Sequence, residues 1–491
     1  MIIIKAKLPH QFFVYASNFT LESMIKIISY WSYYIFLNSN TLQGKMGALI
    51  YNEIMIGNTT IKQKVNIVQT WLIDMQYDII MNCSYGTKII SENESLHLIS
   101  LYNDYCNQRK NNFKKSDIFM YLYGLFGEQK KFQSNTFRES FSREKYILES
   151  VSRKKHTKNT YDIDIANIFA ETTNFSTDEY SSIILYIAIC FIISKGIIFN
   201  TDISTKSNSH IFTNKNILNV LSKNSITVEE IRNSKLNRQI FYSKPIIKIQ
   251  DSYIASNYFM ILSLFENSNY WIIRNKFNSM KSQTFLNAFG SYFEIYVEEI
   301  LSYCLNNNQF RQIDETNNGK RADWIINIGQ YKFVVEQKST LSLLGIKQNQ
   351  PDIVSMKQYI LKTWGEAVRQ LSETQIALNI EKPIKIILLY EDYYKAECLD
   401  ELFKLDCDLK NDNNYWLVTI REFEMLLITY KNSPDLFFKI INEKIDSEYT
   451  HSLGGRELEI FLRKNNIIEN QYLIEAKIIN EYYNIKNSVL T

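Results

Sequence analysis

Apolar and polar positions follow a regular pattern in the C-terminal part of the chain, beyond about residue 280. Apolar side chains recur at spacings of three and four over residues 284–305, which predicts an amphipathic helix. The pattern then predicts strands at 310–313, 322–328 and 331–338, a helix at 352–374, a strand at 383–390, a helix at 394–405 and a strand at 415–420. This αβββαβ order, with one added helix and strand, predicts an α/β core in which helices flank a mixed sheet.

The pattern before residue 280 is less regular. Residues 1–280 combine helical periodicity with many aromatic side chains, which predicts a mostly α-helical region in one or two subdomains. Residues 201–244 are rich in Ser, Asn and Lys, which indicates a linker or a small recognition module. We therefore predict a recognition or regulatory region at 1–280, an α/β domain at 281–450 and a helical extension at 451–491.

One apolar run raises the question of a membrane segment. Residues 183–193 are uninterrupted apolar sequence, but crossing a bilayer requires roughly 20 such residues. The run therefore predicts a buried core helix and no membrane contact. The N-terminal apolar run is interrupted at Lys5, too early for a signal peptide, and the six cysteines include no Cys-x-x-Cys pair. These features predict a cytoplasmic protein without disulfides or a structural zinc site.

Charge is nearly balanced overall but not locally. The 491 residues carry a formal charge of only +3, so any contact with nucleic acid must come from a local patch. In residues 107–158, thirteen Lys and Arg stand against five Asp and Glu, with aromatic residues between them. Such a segment suits a phosphate backbone, with Arg153, Lys154 and Lys155 as candidate contacts. The alternative interpretation is a solvated helical face over its own core.

The residues that carry chemistry lie in one predicted hairpin. A Gly-Gln turn at 329–330 separates two β-rich runs, and side chains in a strand alternate between its two faces. Glu336 and Lys338 therefore share a face, and folding the turn brings Asp323 level with Glu336. An alternative interpretation of these three side chains is an ion-pair cluster at a sheet edge.

The element order and these residues together resemble the PD-(D/E)xK phosphodiesterase superfamily, which has the restriction-endonuclease-like fold. Asp323 matches the motif's Asp, Glu336 its acidic residue and Lys338 its Lys. Ala322 stands where the motif has Pro. The resemblance covers about residues 284–420.

Two further positions extend the resemblance. Gly290 and Glu294 match the Gly-x-x-x-Glu that many members, notably the recombination-exonuclease branch, carry on the helix before the strands. Gln370 lies near the position of that branch's characteristic Gln, but Thr374 replaces the Tyr expected four residues later. Membership of that particular branch is therefore not supported.

The resemblance implies a divalent metal site. Carboxylate oxygens suit Mg²⁺ or Mn²⁺, and the implied ligands are Asp323, Glu336 and the main-chain carbonyl of Gln337. Lys338 would orient the attacking water or stabilise the charge that develops on phosphorus. Glu294 could add a further carboxylate, and the alternative for it is an ordinary Glu on a helix surface.

The expected function is a metal-dependent nuclease, a DNA endonuclease of a restriction or antiviral defence system by analogy with the family. Gln370, Lys347 and Lys357 are further candidates for contacts with the nucleic acid. A homodimer and a partner protein from such a system are left open. The alternatives are a non-cleaving nucleic-acid-binding or sensor module on the same fold, and a structure-specific or RNA nuclease.

Overall fold

The fold is taken from a computed structural model, which describes residues 10–38, 47–56, 59–108, 117–133, 136–154, 161, 163–199, 210–234, 237–265, 268–313, 321–342, 346, 351–391, 393–394, 396–412, 414–448 and 456–490. The α-helices in these ranges are α1 Gln11–Ala16, α2 Leu21–Asn38, α3 Gln69–Asn82, α4 Glu92–Gln108, α5 Ile118–Gln133, α6 Phe137–Tyr146, α7 Ile165–Thr173, α8 Thr177–Ile193, α9 Asn214–Lys223, α10 Val228–Asn233, α11 Ile240–Ser243, α12 Tyr258–Leu262, α13 Ser268–Ser279, α14 Thr284–Cys304, α15 Ile353–Tyr359, α16 Glu366–Ala377, α17 Glu397–Leu405, α18 Ile420–Asn432, α19 Pro434–Glu448, α20 Leu458–Lys464, α21 Gln471–Glu475 and α22 Asn480–Leu490. Two π-helical turns, Ile147–Val151 and Ile360–Gly365, continue α6 and join α15 to α16.

The strands are β1 Gly47–Ile56, β2 Thr59–Val68, β3 Ile197–Phe199, β4 Ser225–Thr227, β5 Ile246–Ile249, β6 Ser252–Ala255, β7 Phe310–Gln312, β8 Trp324–Ile328, β9 Tyr331–Lys338, β10 Ile384–Leu389 and β11 Tyr415–Thr419. They form a β1-β2 hairpin, a four-stranded sheet ordered β3-β6-β5-β4 and a five-stranded sheet ordered β11-β10-β9-β8-β7. The chain is therefore mixed α/β.

The five-stranded sheet contains both kinds of strand pairing. β7, β8 and β9 form an antiparallel meander, and β10 and β11 extend it in parallel to β9. Parallel strands need a crossover connection, which α15–α16 and α17 supply here. The observed order from residue 284 to residue 419 is helix, three strands, helix, strand, helix, strand, as predicted from the hydrophobic pattern.

Each face of this sheet packs against a separate core. Trp324, Phe333 and Val335 point into the larger core, which α14, α18 and α19 complete. Val334 and Ile387 point into a second core, which α15, α16 and α17 complete. Because neighbouring residues of β9 enter different cores, the predicted alternation of faces is confirmed, and Glu336 belongs to the face of the second core.

A tight turn sets the register of the β8–β9 hairpin. Ile328 pairs with Tyr331, and Trp324 pairs with Val335. Gly329 has a φ of +57°, in the region that disfavours side chains. A Cβ at this position would also lie 2.9 Å from Cζ of Phe438 on α19. Glycine at 329 therefore fixes which residues of the two strands face each other.

The N-terminal region contains more sheet than its pattern predicts. Helices dominate it, but the β1–β2 hairpin and the four-stranded sheet are present as well. The described part of the stretch 201–244 is no linker, because α9 buries Ile217, Val220 and Leu221 and β4 pairs with β5. Apolar side chains at helical spacing outweigh the polar composition here, and the linker interpretation is corrected for these residues.

The largest hydrophobic core crosses both predicted boundaries. It contains Phe141 and Ile183 from the first predicted part, Phe285 and Trp324 from the second, and Leu473 from the last. The division at residues 280 and 450 stays a prediction about sequence segments, and it does not separate independent cores in the described residues.

The apolar run at 183–193 lies within α8, where Ile183 and Phe191 are fully buried, as expected of a core helix. No single helix in the described residues is long and apolar enough to cross a membrane. The pair α7 and α8, bent by 47° at their junction, passes that test of length and composition when taken together.

Candidate active site

The hairpin places Asp323 beside Glu336. Asp323 immediately precedes β8, and its main-chain N–H donates to the carbonyl oxygen of Val335 at 3.0 Å. The main-chain N–H of Gln337 in turn donates to Oδ2 of Asp323 at 2.7 Å. The aspartate therefore lies opposite Glu336 on the neighbouring strand, at the position that the alternation of side chains predicts.

Lys338 completes the cluster. Its Nζ donates to Oε1 of Glu336 at 2.6 Å and to Oε1 of Gln370 on α16 at 3.0 Å. The amide nitrogen of Gln370 donates to the main-chain carbonyl of Arg321 at 3.3 Å. Four of the residues singled out from the sequence, Asp323, Glu336, Lys338 and Gln370, are thus brought together.

The two carboxylates are held in an unfavourable environment. Glu336 is only 3% exposed, and Asp323 is partly buried. Burial raises the pKa of Asp323 well above its ordinary value, and the charge of Glu336 raises it further. Burial likewise raises the pKa of Glu336, although the Lys338 ammonium acts in the opposite direction. Glu336 and Lys338 form an ion pair, but Glu336 is buried and β9 lies between β8 and β10, so the cluster is not an exposed one at a sheet edge.

One carboxylate oxygen in the site lacks a donor. Oε2 of Glu336 is buried and accepts no hydrogen bond within the described part of the chain. A buried oxygen of this kind is costly unless something positive reaches it. The candidate metal ligands around it are carboxylate oxygens. They fit Mg²⁺ or Mn²⁺, because Mg²⁺ is commonly held by one or two carboxylates plus waters.

Glu294 lies near the site, close enough for its charge to raise the pKa of both Asp323 and Glu336. Its Oε1 accepts a hydrogen bond from Nε2 of Gln312 on β7, and its charge contributes to the raised pKa of Asp323 after burial and Glu336. Gly290, four residues earlier on α14, lies close to the chain just after Lys338, because a Cβ added there would be 3.6 Å from Oγ of Ser339. The helix thus passes the end of β9.

Three carboxylates do not converge. Among the described residues, no group of three or more His, Cys, Asp or Glu side chains is arranged to hold a metal ion. Gln337, the third implied ligand, supplies its N–H to Asp323, and its side-chain Oε1 is buried without a partner in the same set of residues. The arrangement is therefore a two-carboxylate site with one lysine.

Two supporting contacts were not predicted. The N–H of Ala322 donates to Oγ1 of Thr374 at 2.8 Å, which ties the start of the hairpin to α16. Ser342 donates from its N–H and its hydroxyl to the buried carboxylate of Glu391, at 3.1 and 2.7 Å. The second contact anchors the chain just after β9. Both partners lie far apart in sequence, and no local pattern indicates them.

The remaining lysines predicted near the site have different surroundings. Nζ of Lys357 on α15 forms an ion pair with Asp117 at 2.9 Å, so its charge is already neutralised. Lys347 lies outside the described residues.

The basic segment 107–158 is partly internal. Arg143 is 2% exposed and forms two hydrogen bonds of 2.6 Å with the carboxylate of Glu424. Lys145, at 4% exposure, is surrounded by acidic side chains from Glu149, Asp178 and Glu481. Neither the nucleic-acid surface nor the solvated face describes Arg143 and Lys145, because both are buried and paired with acidic side chains, whereas Arg138 on the same helix is exposed.

The three candidate contacts at the end of that segment differ from one another. Arg153 is exposed. Lys154 forms an ion pair with Glu299 on α14 and donates to the Tyr146 hydroxyl at 3.2 Å. Lys155 lies outside the described residues.

Comparison of the chain with protein-family models, with curated proteins and with solved structures finds no match. What the site does is therefore inferred from its own residues and geometry.

Proposed function

We propose that the chain is a metal-dependent phosphodiesterase that hydrolyses nucleic acid, with a core of the restriction-endonuclease-like type. The observation that carries the proposal is the contact of Lys338 Nζ with Glu336 at 2.6 Å, on a strand end where Asp323 lies opposite. A buried and a partly buried carboxylate, with an ammonium group beside them, at the ends of adjacent strands would suit the metal-assisted hydrolysis of a phosphodiester.

Asp323 and Glu336 would hold the Mg²⁺ or Mn²⁺ ion. The carboxylate oxygen of Glu336 without a donor and the mutual repulsion of the two acids both favour a cation between them. When bound, the cation supplies a counter-charge for the phosphate and a more acidic water.

The chain's own residues would orient and stabilise the reacting groups. The side chain of Lys338 is 17% exposed, and its ammonium group would stabilise negative charge on the phosphate oxygens. Gln370 holds the lysine in place, since its amide links Lys338 to the carbonyl of Arg321. Glu294, whose Oε1 accepts a hydrogen bond from Gln312, could add a further carboxylate oxygen to the ion.

DNA is the proposed substrate, and restriction or antiviral defence is the proposed setting. The setting follows only from the resemblance of the motif and element order to that superfamily. A cytoplasmic location, a partner protein and a homodimer belong to the same proposal.

Plasmid cleavage tests the proposed activity. Purified protein is incubated with supercoiled plasmid and Mg²⁺ or Mn²⁺, and wild type is compared with Lys338→Ala. We expect nicked or linear product from wild type and a loss of about 100- to 1,000-fold in the variant, the cost typical of removing one transition-state stabiliser. Lys439→Ala is the matched control, because Lys439 is exposed on α19, which covers the opposite face of the sheet.

Equal rates for wild type and Lys338→Ala would refute the catalytic assignment. Wild type that binds the plasmid without cutting it under any divalent cation would instead favour the non-cleaving module.

A further inference from the structure

Arg321 lies at the start of the hairpin, two residues before Asp323. Two residues of chain span at most about 7 Å, so its main chain lies beside the site. Its carbonyl oxygen accepts a hydrogen bond of 3.3 Å from the amide of Gln370, whose Oε1 in turn accepts one of 3.0 Å from Nζ of Lys338. A single side-chain amide thus joins the start of the hairpin to the lysine of the site.

The guanidinium group of Arg321 contacts the same helix about one turn further on. Its Nη1 lies 3.5 Å from Oε2 of Glu373 on α16, and Glu373 comes three residues after Gln370. Residues three apart are neighbours on one face of a helix. The guanidinium group and the ammonium group of Lys338 therefore contact the same face of α16, and Arg321 places a second cation on this side of the helix.

A different side of α16 faces the other end of the sheet. Arg369 forms an ion pair with Asp406, the residue that follows α17. The hydroxyl groups of Ser372 and Tyr415 on β11 lie 2.5 Å apart. Strand β11 is an edge strand, and β10 separates it from β9. Positions 369 and 372 thus face β11, whereas positions 370 and 373 face the hairpin and the site.

The ion pair of Arg321 with Glu373 is one that a phosphate group can replace. Its N–O distance of 3.5 Å is longer than the roughly 2.7–2.9 Å of a strong charge-assisted hydrogen bond. The side chain of Glu373 is 54% exposed, and ion pairs with exposed carboxylates are weak. The buried pair of Arg143 with Glu424, by contrast, has two hydrogen bonds of 2.6 Å. A guanidinium group presents its donors as a fork that matches two phosphate oxygens, so phosphate is the stronger partner for Arg321.

We propose that Arg321 binds a backbone phosphate of the DNA strand whose phosphodiester enters the site, and that this contact replaces its ion pair with Glu373. The inference rests on the proposed nuclease function and adds to it a residue that binds the substrate. Glu373 then competes with DNA for the guanidinium group and lowers the affinity of the protein for DNA. The contact is to the backbone, so it carries no preference for base sequence.

DNA binding by variants of the two residues tests this competition. A short labelled DNA duplex is titrated with full-length protein at low salt in EDTA, so that nothing is cleaved. For Arg321→Ala we expect binding about tenfold weaker, because a charge-assisted contact with phosphate is lost. For Glu373→Gln we expect binding about threefold tighter, because the weak pair that competes with DNA is gone. A pair that only supports the fold would not give effects of opposite sign.

The double variant and two controls separate the competition from a general effect of charge. In Arg321→Ala/Glu373→Gln the gain from glutamine should disappear, because the guanidinium group that it releases is absent. Arg369→Ala removes an arginine of the same helix that is 48% exposed and faces β11. Glu366→Gln removes an exposed carboxylate of the same helix. Both controls should bind DNA as wild type does.

Cleavage kinetics distinguish binding of the substrate from support of the site. Arg321→Ala should raise KM for plasmid about tenfold and leave kcat nearly unchanged, because the main-chain carbonyl that accepts from Gln370 is kept. Arg321→Lys keeps the charge but not the fork, so it should recover part of the affinity. Circular dichroism and the melting temperature show whether each variant is folded. Should Arg321→Ala fail to fold, Glu373→Gln with and without Arg321→Lys still tests the competition.

The outcomes that overturn the inference differ in what else they affect. If Glu373→Gln does not tighten binding, or if its gain persists without the guanidinium group of Arg321, the pair does not compete with DNA. The proposed function still stands in that case, provided that wild-type cleavage of plasmid depends on Lys338. If wild type neither binds nor cleaves DNA, the inference and the proposed function both fail.

Discussion

Glu144 on α6 allows a quantitative prediction about stability and pH. Its carboxyl group is fully buried. Oε1 accepts the N–H of Asn269, at the start of α13, at 3.0 Å, and Oε2 has no partner in the described residues. Burial raises the pKa of Glu144 from 4.5 to about 8, although the N–H groups of Asn269 and Tyr270 favour the charged form. The folded protein therefore holds a proton that the unfolded chain releases.

The sign and size of the effect follow from this difference in pKa. Because the folded-state pKa is raised, the stabilising contribution is complete below pH 4.5 and is lost as pH rises through about 8. At about 1.4 kcal/mol per tenfold change in the proton equilibrium, the total loss is on the order of 5 kcal/mol. About 3 kcal/mol of it falls between about pH 6 and pH 9.

Urea unfolding of wild type and Glu144→Gln at about pH 6 and about pH 9 measures this loss. Glutamine preserves the shape and does not ionise, so the variant should gain about 3 kcal/mol relative to wild type between the two pH values. Glu229→Gln is the control, because Glu229 is exposed on α10, and its difference from wild type should stay constant. A Glu144→Gln difference that is equally independent of pH would refute the reasoning and show that water reaches the carboxylate.

Two further predictions concern buried contacts outside the site. Arg143→Met should destabilise the protein by about 3–5 kcal/mol in urea unfolding, because the buried Glu424 loses its only cationic partner among the described residues. The control Lys464→Met, which removes a largely exposed lysine from an ion pair, should change stability by less than about 1 kcal/mol. Equal effects of the two substitutions would contradict the conclusion that the Arg143–Glu424 pair is buried. Gly329→Ala should lower stability by about 1–3 kcal/mol through the positive φ and the clash with Phe438, and an unchanged melting temperature would show that the turn adapts.

The geometry of the site could be predicted because it depends on local rules. The alternation of side chains determines that Glu336 and Lys338 share a face, and a two-residue turn determines which residue of the first strand lies opposite. These two facts place Asp323 beside Glu336 without knowledge of the rest of the fold. The order of elements after residue 280 followed for the same reason, since each helix and strand there has a clear period.

Contacts between distant parts of the chain could not be predicted in this way. The partner of Arg143 is 281 residues away, and no local pattern distinguishes a buried charged side chain from a solvated one. The charges of Arg143 and Lys145 therefore indicate a surface in the sequence, whereas the folded chain pairs both with acidic side chains in its interior. The partnerships of Glu294 with Gln312 and of Lys357 with Asp117 were missed for the same reason.

Weak local signals account for the other differences. The sheet β3-β6-β5-β4 is built from strands of three or four residues, too short to show a period. The stretch 201–244 was interpreted from its polar composition, while the apolar stripe of α9 within it is only ten residues long. The π-helical turn Ile360–Gly365, which joins α15 to α16, could not be predicted from the hydrophobic pattern.

The most direct test of the central claim is anomalous diffraction from crystals of the protein soaked in Mn²⁺. We predict a peak within coordination distance of the carboxylates of both Asp323 and Glu336, with Lys338 beside it, and no such peak in crystals of Asp323→Asn. Wild-type crystals that bind Mn²⁺ elsewhere and leave these two carboxylates without it would contradict the account.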